Sequence, residues 1–327
     1  MSAGVIWSPA GMVLICGAAF VIVAAGMHAG ADLLNPVLFA LLIAVLAAPL
    51  QIRLMKKGMP RGAAILTVMG VIVLFCAFLL WVLSTFLVQM GEALPAYQEM
   101  IDVQIERVVS LFPGTGISAG DFPAIPGDSL FRPSIVSVLA GLATLLAEFF
   151  LVLVITAFLL PAAGEGSVFG RYSDVIARHF TARGRAALAT GVGTGLFLLL
   201  IGVDFPLLWG VLIFILCFIP FIGIWIAAVP PIGMAWLEYG TAGAVAVVGG
   251  IAAITILAER GFVTPESAKV PGLSPAITIV SLFFWTWVLG IPGMFLAVPL
   301  TLAAKTLLEL SDDTRWLARL METESPE

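Results

Sequence analysis

Long apolar runs, separated by short polar or proline-rich segments, dominate the chain. Roughly 20 apolar residues cross the hydrocarbon core as a helix, and five runs of about that length come first, at 9–29, 33–52, 62–88, 134–160 and 186–203. Three more apolar stretches follow, at 206–237, 241–258 and 275–304. The first and last of these are too long, and too interrupted by proline and glycine, to form one simple helix each. The pattern predicts an all-α polytopic membrane bundle of about eight spans, with broken or re-entrant segments.

Clusters of Lys and Arg set the predicted orientation of these spans. The loop 53–61 carries four basic residues and no acid, and residues 170–185 carry four arginines against one aspartate. Short loops rich in Lys and Arg stay on the cytoplasmic side. Both loops therefore predict the same topology, in which the N- and C-termini are cytoplasmic and the protein resides in the inner, cytoplasmic membrane.

The region 89–133 is predicted to be external and acidic, because its six acidic residues face only two basic ones. Within it, apolar residues recur at helical spacing between Leu94 and Leu111, which predicts an amphipathic helix. The predicted organisation is spans one to three in 1–88 with the basic loop 53–61, the external insertion 89–133, span four in 134–160, a cytoplasmic basic segment 161–185, broken C-terminal spans in 186–310 and a cytoplasmic tail 311–327.

Composition narrows the functional classes. The chain is 61% hydrophobic and 11% charged, whereas soluble domains carry about 25% charged residues. Three scattered cysteines without CxxC spacing support neither a disulfide framework nor a metal site. No GxxxxGK[ST] element occurs, and Ser, His and acidic residues are dispersed over both predicted faces of the membrane. The sequence thus predicts no enzyme, no cofactor, no bound metal and no nucleic-acid partner.

Two apolar segments are broken by proline and glycine: "FIPFIGIWIAAVPP" at 218–231 and "LSPAITIVSLFFWTWVLGIPGMFLAVPLTLAAK" at 273–305, which share a short echo. An interior proline costs a helix about 3 kcal/mol. Non-helical backbone at membrane depth persists only where it is buried in protein or lines a water-filled cavity. Interrupted segments of this kind mark the solute path in transporters. The predicted pathway residues are Pro220, Gly223, Pro230, Pro231, Pro275, Gly290, Pro292, Gly293 and Pro299.

Ionisable residues within membrane spans are the other functional candidates. Glu148, in the middle of span four, is a candidate to carry a proton or bind a coupling cation; a subunit contact or a local polar pocket is the alternative. Glu259 ends span seven, where it marks either a gate or an interfacial helix end. Asn35 is able to cap the second helix or to touch a solute, Asp204 is interpreted as a topology marker, and Lys305 is expected to snorkel to the interface.

Several of these stretches resemble one family. The segment "SPAITIVSLFFWTWVLGIPGMFLAVPLTLAAKTLLE" closely resembles the C-terminal signature of the autoinducer-2 exporter family. "FIPFIGIWIAAVPP" resembles that family's Pro-aromatic-x-Gly element, and "NPVLFALLIAVLAAPLQIRLMKKGMPRGAAIL" resembles its second helix and first basic loop. The likeness keeps the order of elements over nearly the whole chain.

The resemblance implies an eight-helix secondary transporter, driven by an ion gradient, that exports a small polar solute or a quorum-sensing signal such as autoinducer-2. Other members of the family suggest an alternative, a cation/proton antiporter. A third alternative is a non-transporting membrane scaffold that works through the 89–133 insertion. The implied partners are the lipid bilayer, a small polar solute and H⁺ or Na⁺ as candidate coupling ions, and homo-oligomerisation is plausible for the family.

Overall fold

The computed structural model describes residues 9–110, 135–160, 168–262, 273–309 and 311–322, and within these ranges the chain is helical without strands. In chain order the helices are α1 (Pro9–Ala29), α2 (Ala31–Lys56), α3 (Arg61–Ser110), α4 (Ile135–Leu159), α5 (Val168–Ile201), α6 (Pro206–Leu216), α7 (Gly223–Phe262), α8 (Pro275–Leu289), α9 (Ile291–Glu309) and α10 (Arg315–Leu320).

The helices have the length and surface of membrane spans. Five described segments are long and apolar enough to cross a bilayer: Ala31–Lys56, Arg61–Phe86, Thr181–Ile201, Gly223–Phe262 and Ile291–Glu309. Four shorter apolar helices accompany them, at Leu14–Ala29, Leu146–Leu159, Pro206–Leu216 and Pro275–Leu289. Large apolar side chains point outward, with Leu200 86% and Leu33 81% exposed. A soluble protein rarely exposes such surface, so the predicted class of polytopic helical membrane protein is confirmed, while the count of eight spans stays a prediction.

Helix α3 is longer than any single crossing. Its 50 residues rise about 75 Å, whereas the hydrocarbon core is about 30 Å thick. The predicted amphipathic helix is a direct continuation of span three, without an interruption at residue 88. On this extension Tyr97 is buried and Ile105 is half-buried, whereas the acidic side chains Glu99, Asp102 and Glu106 are exposed, which is the two-sided pattern of an amphipathic helix. The remainder of the predicted insertion, 111–133, lies outside the described residues.

Helix α7 contains 40 residues, about 60 Å of helix, and is divided by Gly240. This glycine has φ 68° and ψ −159°, a backbone conformation that is essentially restricted to glycine. The break leaves two helical halves of 17 residues (223–239) and 22 residues (241–262). Each half then has a length that a bilayer can accommodate.

The chain divides into two compact units, and each has its own core. Unit 1 comprises Met1–Ala48, Leu151–Ile176 and Lys269–Glu327. In it α1 packs against α8, and Phe20 stacks on Phe284 with ring centroids 5.5 Å apart. The buried centre of this packing consists of Ala24, Val288, Leu289 and Leu296.

Unit 2 comprises Pro49–Phe150 and Ala177–Ala268. Small residues set its helix packing. An added Cβ on Gly191 would lie 2.6 Å from the Gly210 carbonyl oxygen, and one on Gly250 would lie 2.1 Å from the Phe197 ring. Such close approach of helices is the usual role of glycine in membrane bundles. The buried core around these contacts includes Leu198, Trp209, Ile213, Val247 and Ile251.

We expect Gly240→Ala to destabilise the folded protein by about 1–3 kcal/mol, because an L-residue is strained at these torsions. Gly249 lies in the same helix with no positive φ and no atom within 4 Å of an added Cβ, so Gly249→Ala is the matched control and should cause no loss. Thermal unfolding of the purified variants in detergent measures both. Equal melting temperatures for the two variants would contradict the assignment of the break to Gly240.

Candidate functional site in two helical hairpins

The first broken segment forms a helical hairpin within unit 2. Helix α6 runs to Leu216, the chain turns over residues 217–222, and α7 begins at Gly223. The turn contains Phe221 at φ 63° and the buried Pro220. A Cβ on Gly223 would lie only 1.8 Å from the Leu216 carbonyl oxygen. The two helix ends therefore meet at a distance that only glycine permits. We call this element hairpin 1.

Pro230 and Pro231 do not interrupt the helix as the sequence pattern suggested. Both lie inside α7, which continues through them. Because proline has no N–H group, it leaves the carbonyl four residues earlier without its helical donor. The carbonyls in question belong to Ile226 and Ala227, one turn into the arm that returns from the hairpin 1 turn. The prolines thus add hydrogen-bond acceptors near the break rather than creating the break.

The second broken segment forms a hairpin within unit 1, and we call it hairpin 2. Helix α8 ends at Leu289, Gly290 adopts φ 72° and ψ −153°, and α9 begins at Ile291. A Cβ on Gly293 would lie 1.9 Å from the Trp285 carbonyl oxygen. The indole Nε1 of Trp285 also donates a 2.9 Å hydrogen bond to Thr301 Oγ1, which ties the two arms together below the tip.

The prolines of hairpin 2 have different places. Pro275 is the first residue of α8, directly after the N-cap Ser274, so it starts a helix instead of breaking one. Pro292 lies in the first turn of α9, where a missing N–H group costs little, and Pro299 lies inside α9. Gly290 alone separates the two helices. In both hairpins a glycine in the first turn of the second helix sits against a carbonyl near the end of the preceding helix.

Polar side chains from α1 and α2 reach the tip of hairpin 2. His28 Nδ1 lies 3.2 Å from the Val288 carbonyl oxygen, and Asn35 Nδ2 donates to the Leu289 carbonyl oxygen at 3.2 Å. These are carbonyls at a helix C-terminus, which the helix itself leaves unpaired. The Asn35 Oδ1 atom is buried and has no hydrogen-bond partner within the described part of the chain. The tip therefore presents one unused acceptor beside a broken helix.

A polar cluster joins the base of hairpin 1 to the α3 extension in unit 2. The Tyr97 hydroxyl donates a short hydrogen bond to Asp204 Oδ2, and the Asp204 backbone N–H donates to Glu238 Oε1 at 3.3 Å. Tyr239 OH donates to the Gly202 carbonyl oxygen at 2.9 Å. Burial and the neighbouring Asp204 carboxylate raise the pKa of Tyr97, so Tyr97 keeps its proton and acts as the donor.

Sequence reasoning missed most of this cluster. It interpreted Asp204 as a topology marker and Tyr97 as one apolar position of an amphipathic helix, and it did not single out Glu238. The only sequence signal was the placement of Glu238 near the end of an apolar run, where a carboxylate requires a partner.

The two predicted coupling residues lie on exposed helix faces. The Glu148 side chain is exposed on α4, in an otherwise apolar helix. Glu259 is exposed near the end of α7 and lies 3.6 Å from Arg183 Nη1. Because exposed ion pairs contribute about 0–1 kcal/mol, this contact is a weak tether at most. The charges of Glu259 and Arg183 are close enough to act on Cys217, the first residue of the hairpin 1 turn.

Lys305 differs from its expectation. It is only 7% exposed, and its Nζ lies 2.9 Å from Glu322 Oε1 and 3.1 Å from Glu309 Oε1. A buried ammonium requires anionic partners, and these two carboxylates supply them. The side chain is therefore held by two carboxylates within unit 1, partners that the sequence pattern did not predict.

Unit 2 also contains an apolar groove of about 480 Å³ between α3, α5 and α6, lined among others by Phe75, Gly191 and Phe214. Its walls are almost entirely hydrocarbon. A polar solute would lose its hydration there without gaining hydrogen bonds. The groove is therefore unsuited to a polar cargo. The hairpins are the better candidates for binding one, because Asn35 Oδ1 and the carbonyls that Pro230 and Pro231 leave without a helical donor are acceptors.

The fold and the two hairpins define the class: a polytopic helical membrane protein whose helices are broken within the bundle. A family model described as AI-2E family transporter matches residues 163–312. Full-length relatives include the AI-2 transport protein TqsA of Escherichia coli K12, 27% identical over 92% of each chain, and a putative transport protein of Haemophilus influenzae, 26% identical over 93% of this chain and 94% of the relative. The putative transport protein YhhT of Escherichia coli K12 is 26% identical over 94% of this chain and 93% of its own. These matches confirm the resemblance to the AI-2E family.

We expect Gly223→Ala to disrupt hairpin 1, because the added methyl group would overlap the Leu216 carbonyl oxygen at 1.8 Å. The helix ends would have to separate, at a cost of about 1–3 kcal/mol or more. Gly233 lies in the same arm with no atom within 4 Å of an added Cβ, so Gly233→Ala should leave stability and transport unchanged. Unfolding in detergent and flux in proteoliposomes test the pair, and wild-type behaviour of Gly223→Ala would show that the tight turn is dispensable.

Proposed function

We propose that this protein is a secondary transporter of the cytoplasmic membrane that exports a small polar solute or signalling molecule, driven by an ion gradient, with hairpin 1 and hairpin 2 each a candidate element of its solute pathway. The observation that carries the proposal is the broken helix at Gly290, where Asn35 Oδ1 is buried and has no hydrogen-bond partner among the residues that the structure describes.

The chemistry of this tip suits transient binding of a polar solute. A buried acceptor without a donor costs about 1–3 kcal/mol, and a solute hydroxyl or amine recovers that free energy when it donates to Asn35. The Val288 and Leu289 carbonyls already have donors in His28 and Asn35. The carbonyls at the tip are therefore already bonded, and the Asn35 Oδ1 atom is the acceptor offered to the cargo.

The relatives support the same reading. Three of them are each matched over more than nine-tenths of both chains: one is named as an AI-2 transport protein and two as putative transport proteins. By analogy with that relative, autoinducer-2 is the first candidate cargo for this chain. With the topology predicted from the basic loops, export runs away from the side that holds residues 53–61 and 170–185.

A cation/proton antiporter is the second candidate, and Glu148 is the observation that favours it. A carboxylate in the middle of an apolar helix is costly and is retained where it carries charge or protons. In this alternative Glu148 binds the proton or cation directly, and Glu259 with Arg183 acts as a gate. In the lead proposal Glu148 couples an ion gradient to solute movement.

We expect Asn35→Leu to reduce autoinducer-2 flux in proteoliposomes about tenfold, since it removes a hydrogen bond of about 1–1.5 kcal/mol to the cargo. The loss should appear mainly as a higher KM. Gln51→Leu, in the same helix, removes a buried amide whose Nε2 lies 3.9 Å from the Met55 sulfur, and serves as the matched control with unchanged flux. Equal KM values for wild type and Asn35→Leu would remove Asn35 from the path.

We expect Glu148→Gln to abolish gradient-driven accumulation while leaving downhill exchange of the cargo intact, because the amide cannot take up and release a proton at neutral pH. Glu106→Gln, on an exposed face of the α3 extension, is the control. Proton movement is followed with a pH-sensitive dye, with Na⁺, K⁺ and Li⁺ added in turn. Cation-dependent proton flux without any organic solute, lost in Glu148→Gln, would favour the antiporter. A protein that moves neither cations nor autoinducer-2 would favour the scaffold.

A further inference from the structure

The C-terminal residues 311–322 lie against the base of hairpin 2, within unit 1. Helix α10 packs on α9, and Ala318 is almost completely buried in that contact. The Thr314 hydroxyl donates a 2.7 Å hydrogen bond to the carbonyl oxygen of Leu308, in the last turn of α9. The segment is therefore folded onto the hairpin rather than extended from it.

Two consecutive residues of this segment hold the two different arms. The Met321 carbonyl oxygen accepts a 2.8 Å hydrogen bond from the backbone N–H of Ser274, the N-cap of α8. The next residue, Glu322, accepts a 2.9 Å hydrogen bond from Lys305 Nζ in α9. The arms of hairpin 2 are thus bridged at their base through residues 321 and 322.

Ser274 is also hydrogen-bonded to the first turn of α8, so the bridge links the C-terminal segment to that turn as a whole. Its Oγ accepts from the Ile277 N–H, and its carbonyl oxygen accepts from the Thr278 hydroxyl and N–H. Its backbone N–H is the group that bonds the C-terminal segment. Movement of Met321 would therefore pull on the first turn of α8 as a unit, while movement of Glu322 would release a buried ammonium in α9.

We propose that residues 311–322 form a clasp that holds the two arms of hairpin 2 together at their base, with Lys305 as its positioning residue, and that the clasp must open for the hairpin to change conformation during transport. The requirement for movement rests on the proposed transport function; the clasp itself does not. Breakage of the Lys305–Glu322 pair lowers the barrier to opening, and a covalent lock between residues 274 and 321 prevents opening.

The central experiment is a reversible cross-link. In the full chain with Cys16, Cys76 and Cys217 replaced by alanine, Ser274→Cys and Met321→Cys are introduced together, because the backbones of these two residues are in hydrogen-bond contact. We expect the disulfide to form in membranes and to lower autoinducer-2 flux by about tenfold or more, since conformational steps commonly limit turnover. Reductant should restore the flux. Flux that is unaffected by the cross-link would overturn the opening requirement.

Charge variants distinguish a clasp that limits hairpin opening from an ion pair that only stabilises the fold. Glu322→Gln should raise the maximal rate of transport without changing KM, because it breaks the pair that holds the clasp closed. Glu309→Gln is the matched control, since Glu309 pairs with Lys305 inside the same helix and does not bridge the arms. Lys305→Arg should retain wild-type rates. Identical maximal rates for Glu322→Gln and Glu309→Gln would overturn the positioning role of Lys305.

A second readout does not depend on transport. Labelling of Met321→Cys by a maleimide reports exposure of the clasp, and we expect Glu322→Gln to accelerate it where Glu309→Gln does not. Equal labelling rates, or failure of the 274–321 disulfide to form, would overturn the clasp even if transport is normal. Absence of flux in the wild-type protein would instead overturn the proposed function, while the cross-linking and labelling rates would still decide whether the clasp exists.

Discussion

Backbone hydrogen bonding in hydrocarbon is the constraint on which the rest of this structure depends. An unpaired N–H or C=O group within a bilayer costs several kcal/mol, so a chain that breaks its helices must shield every break with protein. Here the shielding is achieved by contact. Gly223 and Gly293 allow the paired helices to pack so closely that an added Cβ would lie 1.8 and 1.9 Å from a carbonyl oxygen of the facing helix. This closeness leaves no room for lipid beside those carbonyls. Larger side chains at these two positions would separate the helices and open the breaks.

The same constraint explains where the polar side chains lie. Several of the polar contacts between helices lie near helix ends, although the Trp285–Thr301 hydrogen bond lies between the arms of hairpin 2. At the tip of hairpin 2, His28 and Asn35 satisfy carbonyls that α8 leaves unpaired. At the base of hairpin 1, Tyr97 and Asp204 meet outside the apolar stretch of α3. Hairpin 2 therefore has polar contacts at its tip, whereas hairpin 1 has an apolar turn and polar contacts at its base.

Sequence patterns predicted the helical class, the apolar segments and the two broken regions, because each of these follows from local composition. Gly223, Gly290 and Gly293 lie at the breaks, since their effect on the backbone needs no distant partner, and their place in a transport pathway stays a prediction. Pro230, Pro231 and Pro275 were placed less well. A proline can start a helix or be carried inside one, and the difference depends on what packs against the freed carbonyls. Periodicity carries no information on that packing.

The contacts between distant parts of the chain were beyond the sequence. Glu238, Asp204 and Tyr97 come together across 141 residues of chain, and no periodicity or spacing marks such a meeting. Lys305 was expected at the interface for the same reason: its partner Glu322 lies in a polar tail whose fold is not encoded in an amphipathic pattern. Glu148 is exposed on α4, so it contributes nothing to packing within the single chain.

Gly240 and Gly290 share one further property. Their torsions, φ 68° with ψ −159° and φ 72° with ψ −153°, are nearly the mirror image of the polyproline II conformation. An added Cβ meets no atom within 4 Å at Gly240, and only Pro292 Cδ at 3.8 Å at Gly290. Space is thus available at both positions, and handedness is what excludes other residues. A D-alanine introduced by semisynthesis would adopt these torsions without strain and would stiffen either joint that an L-alanine distorts.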